Sequence, residues 1–132
     1  MTRARLQAVA ADPAAAARLV EQARRQLADA EAPALSAESS YALTYQAALK
    51  ALIASLLAQG RRVSSGSGGH VVIIREGTRM LGLERELSSR LDRMRRTRHA
   101  TFYDLDEVSA AMVRSALADA TAVVEAATVA VG

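Results

Sequence analysis

Residues 36–60 read SAESSYALTYQAALKALIASLLAQG, and the fold class follows from this stretch. Tyr41, Tyr45, Leu49, Leu52 and Leu56 recur at steps of three and four, which places them on one stripe of a helix, and Ala48, Ile53 and Leu57 widen that stripe until little polar face remains. A helix that is apolar over more than half its circumference must be surrounded by other elements. Ser36, with Glu38 in the first turn, has the form of a start signal, and Gly60 that of a C-terminal stop. We therefore expect the central, most buried helix here. Tyr41 and Tyr45, four apart on it, are expected as core residues whose hydroxyls reach an edge.

The remaining elements are arranged around this helix. Pro33 closes a preceding helix that runs from Pro13 to about Glu31, with Asp12 as N-cap and Leu19, Ala23, Leu27 and Ala30 on one stripe. Residues 1–12 are expected to be a flexible N-terminus. From Gly60 to Gly69 the composition GRRVSSGSGG is that of a flexible connector, and it lacks the G-x-x-x-x-G-K-[ST] pattern of a phosphate cradle. His70 opens HVVIIREGTRMLG, whose VVII run suits a helix or a short strand over residues 70–75. A helix is favoured because Val72, Glu76, Arg79 and Met80 continue at helical spacing, whereas a lone strand leaves its backbone unpaired. His70 is then expected to cap that helix. Gly82 separates it from a segment running from Leu83 to about Arg98, in which Leu83, Leu87, Leu91 and Met94 form the apolar side. Asp104 and Glu107 have the spacing of a capping box for a last helix carrying Val108, Met112, Ala116, Ala120, Val123, Ala127 and Val131 on one face. The sum is an all-α, antiparallel up-down bundle of four to five helices, one domain over residues 1–132.

Composition agrees with this architecture and narrows the chemistry. The 132 residues suit one core, 51% of them are apolar, and only four are aromatic. There is no cysteine, which rules out disulfides, thiolate metal sites and a cysteine nucleophile. The N-terminal residues lack the pattern of a signal peptide, and no uncharged apolar run approaches the ~18 to 20 residues of a membrane span. The longest is Ala51 to Ala58. A cytoplasmic location without membrane association is expected. His70 and His99 stand too far apart in sequence for a local metal motif, so neither a metal nor a cofactor is expected. The wide apolar face of the last helix suggests a dimer.

Charge is the uneven feature. The net charge is +3, yet Arg90, Arg93, Arg95, Arg96 and Arg98, with Asp92 as the one acid among them, carry +4 within nine residues. Arginine at the C-terminal end of a helix complements the helix dipole, which is a structural reason for Arg95, Arg96 and Arg98. The functional reason lies in residue order: Arg98 and His99, three variable residues, then Tyr103 and Asp104, ahead of a long helix.

That order resembles the HEPN superfamily of small helical-bundle proteins. The late motif of that family is an arginine, a polar residue, three variable residues and a histidine. Arg98 and His99 match the first two positions and Tyr103 stands at the third. The paired tyrosines Tyr41 and Tyr45, the Gly-rich loop and the Gly69-His70 opening extend the resemblance over roughly residues 13 to 131. It implies a homodimer whose two motif segments face each other across a basic cleft. It also implies that Arg93, Arg95, Arg96 and Arg98 meet RNA, a nucleotide or a nucleotidyltransferase partner protein, in a toxin–antitoxin type system. In catalytic members arginine holds the scissile phosphate and histidine moves protons without a metal, so Arg98, His99 and Tyr103 are the catalytic candidates, with Arg93 and His99 as a looser pair. Tyrosine, with a pKa of about 10, is a poor proton acceptor at neutral pH. Binding is therefore favoured over cleavage, with a metal-independent endoribonuclease and a purely structural dimerisation module as the alternatives. Asp104 and Glu107 are assigned to capping.

Overall fold

Helix α1 (Pro13–Asp29) begins where Asp12 accepts the Ala15 N–H at 3.0 Å, with Pro13 in the first turn, where its missing N–H costs nothing. The computed structural model describes residues 2–103 and 107–132, without the side chains of residues 100–103. Helix α2 (Ala37–Ala58) is capped by Ser36, whose hydroxyl accepts the Ser39 N–H at 3.1 Å. Helices α3 (Gly69–Met80), α4 (Arg85–Tyr103) and α5 (Ala110–Val131) follow. Together these form the expected helical bundle, and α2 packs against each of the other four helices. Its Tyr45, Leu52 and Leu56 are each 1% exposed. Among the described residues α2 alone is long and apolar enough to cross a membrane, and more than half of it is buried against its neighbours, as a core helix is.

The VVII run is helical. Val72, Ile73 and Ile74 enter the core, and α3 approaches α2 so closely that a Cβ on Gly77 would lie 2.8 Å from the Leu52 Cβ. The N-cap of α3 is Gly68, in a left-handed conformation, and no side chain caps this end. His70 therefore does not cap the helix as expected. It sits inside the first turn and its ring turns to another partner.

Two segments expected to be flexible are paired with each other. Strand β1 (Leu6–Ala8) runs antiparallel to β2 (Arg61–Val63), with Leu6 opposite Val63 and Ala8 opposite Arg61. The pairing continues through Ala4 N–H to the Ser67 carbonyl at 2.9 Å, Ser64 N–H to the Arg5 carbonyl at 2.8 Å, and Val9 N–H to the Gly60 carbonyl at 2.9 Å. A two-stranded ribbon is marginal alone. Here Ala4 is buried and Val63 packs against the helical core, which supplies the missing support. The expectation of a free N-terminus fails because the partner strand lies more than fifty residues away in sequence, beyond the range of any local pattern.

Two helix ends also differ from expectation. Helix α4 continues past Arg98 to Tyr103. Ser109 caps α5, its hydroxyl accepting the Met112 N–H at 3.1 Å, and Glu107 lies before the helix rather than at its third position. Val108, next to the cap, is buried in the core and fixes the start of α5 there. Asp104, the other half of the expected capping box, lies outside the described residues.

Candidate nucleic-acid interface

The apolar stripe of α4 is Leu87, Leu91 and Met94, each less than a tenth exposed. Its steps of four and three lead next to Arg98. This arginine, unlike its neighbours, therefore continues the inward stripe, and it is half-buried. Its guanidinium carbon stands 5.7 Å from the centroid of the Tyr45 ring, within cation–π range. Tyr45 is fixed in turn by the core of α2. Its hydroxyl lies 3.0 Å from Nδ1 of His70, which the first turn of α3 presents to it, with the two ring centroids 5.9 Å apart. Three helices thus meet through Arg98, Tyr45 and His70.

Positive charge dominates the electrostatics of this cluster, with Asp92 opposing it at Tyr45. Burial pushes the Tyr45 hydroxyl up to about 12, against the opposing pull of Arg95 and Arg98, so it stays protonated. Burial of the ring edge, then Arg98 and Arg95, holds His70 below the usual histidine value. With both groups neutral, a single proton lies between the hydroxyl and Nδ1, and the ring tautomer sets which of the two donates. Arg95 is tied to Asp92 at 2.9 Å, and Arg96 reaches the same carboxylate at 3.4 Å. Among the described residues no carboxylate lies in ion-pairing range of Arg98 or Arg93.

The predicted phosphate-binding arginines do not share one face. Arg95 and Arg98 both act on His70 and Tyr45. Arg93 lines a groove of about 270 Å³ between α4 and α5, together with Tyr41, Thr97, Ser115 and Asp119. In that groove Asp119 holds Arg90 through contacts of 3.0 and 3.2 Å. The Tyr41 hydroxyl there is also raised, by burial that outweighs Thr97 and Arg93. Arg96 lies on the α3 side of α4, in a depression with Val71, Arg75 and Ser88. His99 is exposed, one residue beyond Arg98. Tyr103 ends α4, and its side chain lies outside the described part of the structure.

Sequence reasoning missed two features. The first is His70 as a neighbour of the motif arginine. The signal was present in the continuation of the Leu87–Leu91–Met94 stripe to Arg98, which aims that residue at the helices α4 packs against. The second is a further basic patch on the ribbon, where Arg3, Arg5, Arg61 and Arg62 are all exposed. No local pattern could have joined them, since strand pairing alone brings the two halves together. Among the described residues no group of three His, Cys, Asp or Glu gathers in a way that would hold a metal.

No curated protein matches the chain. The HEPN domain family model matches residues 16–129, a span that takes in all of α2, α3 and α4 and the Arg98–Tyr45–His70 cluster. With that match over most of its length, and with the helical bundle just described, the chain belongs to the HEPN domain family.

Proposed function

We propose that this chain is a homodimeric, phosphate-binding HEPN domain that engages RNA through Arg98 and Arg95. The observation that carries the proposal is Arg98 itself: a half-buried guanidinium, stacked on a tyrosine, with no carboxylate partner among the described residues. A partly desolvated cation is costly unless an anion meets it, and a nucleic-acid phosphate supplies one with matching bidentate geometry. Tyr103 at the motif position of a proton-transferring histidine favours binding over cleavage. The homodimer, with two Arg98 segments across one cleft, follows from the family resemblance. A cytoplasmic toxin–antitoxin setting with a nucleotidyltransferase partner is the biological context this function suits, and a nucleotide would use the same guanidinia.

The test is fluorescence anisotropy with a labelled single-stranded RNA at low ionic strength. Arg98→Ala is expected to weaken binding by about ten- to a hundredfold, the range of a lost charge-assisted contact. Arg98→Lys should recover part of it, because lysine restores the charge without the fork. Undiminished binding by Arg98→Ala would remove Arg98 from the site. A second reading, a metal-independent ribonuclease using Arg98 or Arg93 with His99, is favoured by the exposure of His99 directly beyond Arg98. It predicts RNA cleavage in EDTA that disappears in His99→Ala, and an uncut RNA retires it.

A further inference from the structure

The chain has two histidines, and the structure brings His70 to the motif arginine from a different helix. Its Nδ1 is held 3.0 Å from the Tyr45 hydroxyl, and Arg98 lies 5.7 Å over the same tyrosine ring. The groups that act on the imidazole are Tyr45 from α2 and Arg98 and Arg95 from α4, with the positive N-terminal end of α3 beneath it. On the β1 side its neighbour Gly69 approaches Ala4, an uncharged residue. Asp92 pairs with Arg95 at 2.9 Å and acts on Tyr45, but among the described residues no carboxylate is among the groups that act on His70 itself. The residue is nonetheless exposed overall, and among the described residues no hydrogen bond holds its Nε2.

We propose that His70 and Arg98 form one phosphate clasp in which the arrival of a nucleic-acid phosphate draws a proton onto His70, so that RNA is bound more tightly as the pH falls. The inference rests on the RNA-binding function proposed above and adds its second residue and its regulation by pH. In the empty site the ring is neutral, because burial and two guanidinia oppose a further positive charge. A bound phosphate reverses that balance. The proton comes from solvent, so that both ring nitrogens carry hydrogen. The Tyr45 hydroxyl accepts from Nδ1–H, while Nε2–H donates to a phosphate oxygen. Both ring donors are satisfied, and the imidazolium lies against the anion.

The sign follows by linkage. The free site titrates below the ordinary histidine value of about 6.5, and the occupied site titrates higher. Affinity therefore rises as pH falls from the occupied value to the free value, and is level below it. Each unit of separation between the two strengthens binding about tenfold.

The experiment measures the dissociation constant of the full chain for a short single-stranded RNA between about pH 8 and pH 5.5, at fixed low ionic strength. Wild type is expected to bind about tenfold or more tightly at the acidic end. His70→Gln, which keeps a donor but cannot titrate in this range, should bind more weakly at low pH with a flat profile. Circular dichroism establishes that the variant is folded, and the NMR titration of the wild-type His70 ring gives an independent measure. Its pKa should rise when RNA is added. A pH dependence that survives in His70→Gln, or a His70 pKa that RNA leaves unmoved, overturns the clasp while leaving Arg98 as the RNA contact. Absence of RNA binding by wild type at every pH overturns the RNA-binding function together with the clasp.

Discussion

Gly77 shows how a single position can fix the spacing of two helices. It lies inside α3, where glycine costs about 1 kcal/mol of helix propensity relative to alanine. The gain is close approach to α2, since an added Cβ would stand 2.8 Å from the Leu52 Cβ, which is itself part of the rigid core. Overpacking of this kind costs about 1 to 3 kcal/mol. Gly77→Ala is therefore expected to lose stability despite its better propensity, by up to about 2 kcal/mol net. Chemical denaturation measures this directly, and a stabilised variant would show that the two helices can separate freely at that point. The consequence extends to the interface, because α2 carries Tyr45 and α3 carries His70. Gly77 itself is visible in the sequence, but its reason is not, because the crowding atom belongs to another helix.

The existence and order of the helices were legible because each has its own periodic stripe, and the Asp12 and Ser36 caps were legible because each lies directly before a helical run. Two competing N-terminal signals sit close together ahead of α5, and here the pattern misled. Asp104 with Glu107 has the better-known spacing, yet Ser109 makes the capping bond, and the buried Val108 beside it decides the register through tertiary packing. Ser109→Ala should accordingly cost about 1 kcal/mol, the usual value of a lost N-cap. Glu107→Ala, at an exposed position before the helix, should stay within about 0.5 kcal/mol of wild type. Thermal melts of the two variants side by side check the assignment, and a larger loss in Glu107→Ala would reinstate the earlier start. The ribbon marks the opposite limit of legibility. A Gly/Ser-rich connector and an Arg-rich N-terminus each look unstructured alone, and only their mutual pairing gives them shape.

At the scale of the whole molecule, the distribution of charge is the point on which structure adds most to sequence. The +4 run along α4 reads as one basic patch, but the helix turns its arginines in three directions. Asp119 holds Arg90, Asp92 holds Arg95 and Arg96, and Arg98 is turned inward towards Tyr45 and His70. A second concentration of arginine lies on the ribbon, where the exposed Arg3, Arg5, Arg61 and Arg62 make a competing landing place for a polyanion. Long-range attraction alone does not separate these surfaces, because phosphate binding of any kind weakens with salt. Local geometry does separate them, since only the α4 cluster joins a half-buried guanidinium to a tyrosine and a histidine. The decisive measurement is a backbone amide chemical-shift map of the full chain titrated with a short single-stranded RNA at low ionic strength. The largest changes are expected at Tyr45, around His70 at the start of α3, and from Arg95 to His99. Changes confined to the ribbon arginines, with Tyr45, His70 and Arg98 unmoved, would contradict it.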